Sequence, residues 1–516
     1  MNNINKIVFN SAILYAKLLI SIIAAFITSR LVLNALGEVD YGINSLVAGV
    51  VGMLAFLQST ISSASVRYLA YSLGQNDDES VQKTFNSSLI VHLVFGLIIW
   101  VIIEIGGIIM FDFVLNIPDV RISDARVIYH LMALTTFISI VSVPYDAILN
   151  AYEDFLAFSI IDTIGILLNI GIAFWITYER RNALVVYGLL TAAIQLILRI
   201  IKQAYCIRKY AVCKNQFKIS TDKSIIKSIV SFAGWKTLDA GISLLYVQLK
   251  SVIMNVFFGV VINAANGIAM NLTMQINNFS SNLTTAINPQ LIKSEGGGNR
   301  KRLIELTKVS AKFSLFIFTI FSLPILLETE YLLSWWLKKA PEYSSTFIRL
   351  ILIEMLIQKL THPLTTAIQA VGKIRGITLI VSLNLLLQLL TTYYLYKAEY
   401  AAPTIYIIAI LGSVFFSMTS RLYYGKIVVN IDIKDYIKSV FFKGLFPGLL
   451  SALIAVLPIV FLEEGFNRMI ITGLTSTASL FVLIRYVGLT NSEFDKIKSF
   501  ALSIISKNNK KSNYGH

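Results

Sequence analysis

Apolar residues gather into fourteen long runs, at roughly 8–33, 41–65, 86–112, 125–150, 157–178, 184–206, 228–258, 263–290, 305–328, 344–370, 376–396, 402–425, 440–462 and 468–487. A helix crosses a hydrocarbon core with about 20 residues, and each run reaches that length. The strict alternation of a membrane β-barrel, in segments of about ten residues, is missing. The pattern therefore predicts an all-α polytopic membrane protein of about 14 transmembrane helices. The first run follows Lys6 and is longer than a signal-peptide core, so it is expected to stay in place.

Two runs are interrupted by polar residues at helical spacing. In the seventh, Lys236, Asp239, Ser243, Tyr246 and Lys250 recur at intervals of three and four, which puts them on one stripe. In the eighth, Asn266, Met270, Thr273, Asn277, Ser281, Thr284 and Asn288 form a second stripe. The turn Asn255-Val-Phe-Phe-Gly259 joins the two runs. Polar stripes on membrane-length helices are expected to line a water-filled path.

The same pattern occurs 222 residues earlier. Gly37, Ala64, Leu69, Ser72 and Gly74 match Gly259, Ala286, Leu291, Ser294 and Gly296. Lys17 falls opposite Asp239, and Ser21 opposite Ser243. A second echo, displaced by 219, pairs Pro144 and Ala151 with Pro363 and Ala370. Two homologous halves are a common transporter plan. The expected organisation is an N-terminal lobe of six spans (1–206), a basic linker (207–227), a C-terminal lobe of six spans (228–425), two further spans (426–487) and a tail (488–516).

Composition agrees with the pattern. Charged residues make up 14% of the chain, against about 25% in a soluble domain, and 56% are hydrophobic. The net charge of +15 invites a nucleic-acid reading, but its distribution argues against one. With the amino terminus inside, 31 of the 44 Lys and Arg fall on the cytoplasmic side and 10 outside. The remaining three, Lys17, Lys250 and Lys359, lie within spans. This bias sets both termini in the cytoplasm and offers the inner surface to anionic headgroups. Cys206 and Cys213 fall near that face, where no disulfide is expected, and without nearby His they make no metal site.

Enzyme signatures are absent. No P-loop occurs, and Gly296-Gly-Gly298 reads as a flexible loop. The carboxylates are too scattered for a general acid–base pair, and no external connection is long enough to hold a catalytic site. What remains is movement of a solute. Lys17, Lys236, Lys250 and Lys359, with amides such as Asn266 and Asn277, suit a substrate with an anionic group and sugar hydroxyls. Lys250 has no acid at helical spacing and is the first choice for a phosphate contact. Lys236 has the alternative of reaching the inner surface. As repeat counterparts, Lys17 and Asp239 are expected to face each other and pair, either as a structural bridge or within the cavity. Asp146, Asp162 and Glu354 are candidates for proton or sodium coupling, with nothing in their spacing to select one. No metal site and no other cofactor is expected.

The blocks Arg30-Leu-Val-Leu-Asn-Ala-Leu-Gly-Glu-Val-Asp-Tyr-Gly42, Asn255-Val-Phe-Phe-Gly259, Asn263-Ala-Ala-Asn-Gly-Ile-Ala269 and Asn288-Pro-Gln-Leu-Ile-Lys-Ser294 resemble those of bacterial polysaccharide flippases. These O-antigen and capsule repeat-unit flippases belong to the multidrug, oligosaccharidyl-lipid and polysaccharide exporter superfamily. The resemblance covers roughly residues 4–425 and implies two six-helix lobes about a central cavity lined by spans 1, 2, 7 and 8. It implies movement of undecaprenyl-pyrophosphate-linked oligosaccharide to the external leaflet of the cytoplasmic (inner) membrane by alternating access. The implied partners are that lipid-linked glycan, membrane lipids and other polysaccharide-assembly membrane proteins, with no nucleic acid. Spans 13 and 14 resemble those that form a lipid-side groove in such proteins. The family carries Arg where this chain has Asn266, so that cationic anchor is absent here. Peptidoglycan-precursor flippases and cation-coupled multidrug antiporters of the same superfamily are the alternatives. A polysaccharide polymerase or ligase is the alternative of a different class.

Overall fold

The computed structural model describes residues 3–52, 55–113, 117–178, 182–214, 222–491 and 493–495. All described elements are helical. Asn3–Gly52 is one run bent at Gly37, giving α1 (3–36) and a stretch 38–52 that is labelled α2 together with Ala55–Gly74. Next come α3 (Asp78–Phe113), α4 (Asp119–Ala151), α5 (Phe155–Trp175) and α6 (Ala183–Lys209). Lys223–Gly296 is a second bent run, broken at Gly259 into α7 (223–258) and α8 (260–296). The chain then forms α9 (Arg300–Leu337), α10 (Ser344–Val371), α11 (Arg375–Lys397), α12 (Thr404–Val429), α13 (Ile433–Phe461) and α14 (Phe466–Gly488).

Each predicted span thus falls on a helix. Among the described residues eleven helical stretches are long and apolar enough to cross a membrane. The difference has a simple origin. The bent run of α7 and α8 is a single stretch in that count, α10 carries Arg349, Glu354 and Lys359, and α2 carries Gln58, Ser59, Thr60, Ser62 and Ser63.

The repeat is visible in the backbone. Gly37 has φ 74° and ψ 173°, and Gly259 has φ 76° and ψ −174°. This region of conformational space is open essentially to glycine alone. A Cβ built on either residue would meet nothing within 4 Å, so the bend itself, not crowding, demands glycine. Both halves therefore turn from one span into the next by the same strained peptide geometry.

The described chain forms two compact units. The first holds Asn10–Gly241 together with Ile292–Asn299. The second holds Ile242–Leu291 and the chain from Arg300, with the first residues of α1. The boundary runs through α7, and α13 and α14 belong to the second unit. Of the expected linker and tail, residues 215–221, 492 and 496–516 lie outside the described residues.

In the first unit α4 packs against α2, α3, α5 and α6. Its Ile128, Ala133 and Ile140 meet Ile99, Ile172 and Leu184 in one apolar cluster. In the second unit Phe318 of α9, Phe347 and Leu352 of α10 and Tyr406 of α12 build the corresponding core. Helices α13 and α14 close on α9 through glycine: a Cβ on Gly444 would press on Leu315, and one on Gly488 on Phe316. Small residues let helices approach closely where lipid supplies no hydrophobic drive. The outward faces carry large apolar side chains such as Phe26, Leu453 and Phe461, each at least 70% exposed, as expected of surfaces that lipid covers.

Candidate substrate and ion sites

Helix periodicity brings charge together in the first unit. On α6, Gln195, Arg199 and Lys202 follow at intervals of four and three, on one stripe. On α4, Asp146 sits two residues after Pro144, which interrupts the backbone ladder within the helix. Lys202 Nζ lies 2.7 Å from Asp146 Oδ1 and 3.0 Å from Asp162 Oδ1 of α5. Lys17 of α1 pairs with the other oxygen of Asp162. The Phe158 ring, one turn before Asp162, lies 4.2 Å from the Lys17 ammonium and 5.3 Å from that of Lys202. Ser139, Ser142, Asn169, Gln195 and Arg199 complete the lining of a cavity of about 270 Å³. Three cations thus share this cavity with two carboxylates. All four paired side chains are at most 28% exposed, so removing one partner strands an under-solvated charge.

This geometry corrects one expectation. Lys17 does not take Asp239 as its ion-pair partner: it closes on Asp162, and Asp239 lies 3.6 Å from Lys236 on its own helix. The two positions share a repeat register, but an i,i+3 neighbour satisfies Asp239 locally, and α5 presents an acid to Lys17. The same i,i+3 neighbour gives Lys236 a carboxylate on its own stripe.

A second polar centre lies in the second unit. Lys250 of α7 is 6% exposed and places its ammonium 3.4 Å from the centre of the Tyr406 ring. Among the described residues no carboxylate lies within ion-pair distance of it. Cation–π attraction is strongest where both groups are desolvated, as here. The Tyr406 hydroxyl donates to Asn266 Oδ1 on α8, and Tyr246, one turn before Lys250, donates to Gln388 Oε1 at 2.9 Å. Glu354 of α10 accepts from Gln358 at 2.8 Å and from Ser413 at 3.1 Å. Ser413 opens a π-helical stretch of α12, a distortion frequent at functional sites. Lys359 donates to Asn277 of α8 at 2.6 Å. Glu354 and Lys359 each have separate partners, consistent with their five-residue spacing.

Sequence reasoning singled out Lys17, Asp146 and Asp162 without linking them, and it missed Lys202 and Arg199 as site residues. As sequence, both count only with the cytoplasmic charge at the inner end of the sixth run. The 195–199–202 stripe was the available signal. Tyr406 and Gln388 carried no signal, since a Tyr or Gln in an apolar run is ordinary until its neighbours are known.

Comparison with known proteins places this arrangement. The family model described as polysaccharide biosynthesis protein matches residues 7–294, more than half of the chain. Among solved structures, an outward-facing multidrug resistance MATE family transporter of the MOP superfamily aligns with a TM-score of 0.69 at 14% identity, over 82% of this chain and 95% of its own. A MOP superfamily transporter from Pyrococcus furiosus, described by the reverse polarity of its binding pocket, aligns with a TM-score of 0.66 at 14% identity, over 82% and 95%. No curated protein sequence matches the chain significantly. The chain belongs to the polysaccharide biosynthesis protein family and is a multi-helix membrane protein with the fold of the MOP-superfamily transporters.

Proposed function

We propose that this protein is a lipid-linked oligosaccharide flippase. It carries undecaprenyl-pyrophosphate-linked repeat units from the cytoplasmic to the external leaflet of the bacterial inner membrane, by alternating access and without catalysing a covalent step. The observation that carries the reading is a polysaccharide-biosynthesis family match on a chain with a transporter fold. The chemistry of the polar centres supports it. Lys17, Arg199 and Lys202 outnumber Asp146 and Asp162 in one, and Lys250 and Lys359 outnumber Glu354 in the other. Cations suit a pyrophosphate, and Asn169, Gln195, Asn266 and Asn277 suit sugar hydroxyls. Lys359 and the cations of the first unit are the leading contacts for the anionic group, because the ring of Tyr406 covers Lys250. For Lys250 to touch a phosphate, that ring must swing away. Among the three carboxylates considered for ion coupling, Glu354 is the one outside an ion pair among the described residues, and we assign coupling to it first.

The test is export. Sealed membrane vesicles from a host lacking the gene are probed with a sugar-specific reagent for the side on which lipid-linked glycan accumulates. Build-up of one complete repeat unit on the inner leaflet, relieved by the wild-type gene and not by Glu354→Gln, is the expected result. A second reading, a cation-coupled multidrug antiporter, draws on the multidrug transporter among the structural neighbours. Normal glycan distribution with altered sensitivity to cationic drugs would favour it and overturn the flippase.

A further inference from the structure

The inner ends of α2 and α8 cross with their backbones in contact, and the crossing has two-fold character. A Cβ built on Gly74 would overlap the carbonyl oxygen of Lys293 and stand 2.9 Å from its Cα. A Cβ built on Gly296 would overlap the carbonyl oxygen of Tyr71 and stand 3.1 Å from its Cα. Gly74 and Gly296 are 222 residues apart, and so are Tyr71 and Lys293, which is the offset of the sequence repeat. Each glycine is therefore seated on the repeat counterpart of the residue that seats the other. Such reciprocity is the signature of a self-complementary contact about a two-fold. The Gly296-Gly-Gly298 run, which as sequence reads only as a loop, has three distinct tasks. Gly296 meets Tyr71, a Cβ on Gly297 would stand 2.9 Å from the Gly74 carbonyl oxygen, and Gly298, at φ 71°, turns the chain into α9.

One ion pair reinforces the crossing. Lys293 Nζ lies 2.7 Å from Glu153 Oε1, whose side chain is 4% exposed. Glu153 sits at φ 61° in the tight turn between α4 and α5. The next residue, Asp154, anchors that turn by accepting from Lys209 at 2.6 Å, Tyr210 at 2.7 Å and Tyr205 at 2.9 Å. Burial pushes the Asp154 carboxyl up, but these donors outweigh burial and hold it below the usual carboxylate range.

We propose that this crossing is a latch on the cytoplasmic side, in which residues 292–299 seat against α2 and must leave it in each transport cycle. The proposal rests on the transport reading above and on the orientation set by the Lys and Arg bias. Contacts of a glycine against a neighbouring backbone are close but have no interlocking side chains. They form a flat seat that can part and re-form, with Lys293 and Glu153 giving it direction.

The test is a reversible cross-link. Gln75 and Asn299 are exposed next to the crossing, whereas the native Cys206 and Cys213 are fully buried and stay unreactive. In the Gln75→Cys/Asn299→Cys protein, a short bis-maleimide with a disulfide in its spacer is expected to bridge the two sites in high yield. Glycan export should then fall at least about tenfold, a shift of 1.4 kcal/mol or more in the accessible population, and recover when the spacer is reduced. Gly74→Ala and Gly296→Ala should lower the cross-linking yield to a similar degree. Gly267→Ala, where a Cβ meets nothing, should leave it unchanged. Complete cross-linking with undiminished export would overturn the latch, as would failure to cross-link or a yield sensitive to only one of the two glycines. The yields need no substrate, so they read the latch even if glycan export is absent from the unmodified protein, an outcome that would instead count against the flippase.

Discussion

Lys202 shows how much of a membrane-embedded site depends on pairing. Its ammonium serves two carboxylates at once, and Lys17 serves one of them again. Lys202→Met leaves Asp146 without its ion-pair partner and Asp162 with Lys17 alone. Loss of one member of a buried pair costs about 3–5 kcal/mol, because the remaining charge stays desolvated. A clearly lowered unfolding midpoint in detergent is therefore expected, with Asp146→Asn in the same chain restoring a large part of it. An additive loss in the double variant would show that Lys202 and Asp146 are not coupled. Lys250 is the opposite case. Its companions are Tyr406 and Tyr246 rings rather than a carboxylate.

At the scale of the element, glycine and proline set the directions of the helices, and ion pairs fasten them. The bends at Gly37 and Gly259 need a backbone conformation that costs other residues on the order of 1–3 kcal/mol each. Helices α13 and α14 are bolted to α9 by pairs along its length. Glu328, 3% exposed, takes both an Arg468 nitrogen at 2.9 Å and the Thr472 hydroxyl at 3.0 Å. Lys308 pairs with Asp435 of α13, and Lys312 at 2.6 Å with Glu493, just after α14. Arg468→Leu is expected to destabilise the protein by about 3–5 kcal/mol, since it leaves a buried glutamate without its counter-ion. Arg468→Leu with Glu328→Leu should recover most of that loss, and thermal unfolding of the three variants checks it. If the single variant unfolds at the wild-type temperature, α14 is held by packing alone.

Across the whole molecule, the asymmetry of charge is the property that the membrane reads. From the bias of Lys and Arg along the sequence we propose that both termini are cytoplasmic, so a tag fused after His516 is expected to react only with reagents that reach the cytoplasm. Labelling of intact cells by an impermeant reagent would reverse the orientation, and with it the direction of transport proposed here. The two compact units each carry their own apolar cluster and their own polar centre.

What the sequence determined by itself was everything that follows a period or a count. Span number, helix class, the 222-residue repeat and the polar stripes are regularities along one dimension, and helix geometry converts them directly into faces and lengths. The turn at Gly259 and its repeat match at Gly37 were legible in the sequence, but that each is a bend inside one helical run, at a φ/ψ pair open essentially to glycine, is a finding of the structure. Tertiary structure alone decided which charges meet. Lys17 chose Asp162 over its repeat counterpart, Lys202 joined a site from the inner end of an apolar run, and Tyr406 covered Lys250. Ion pairing depends on distances of a few ångströms between helices far apart in the chain, and no spacing within one helix encodes them.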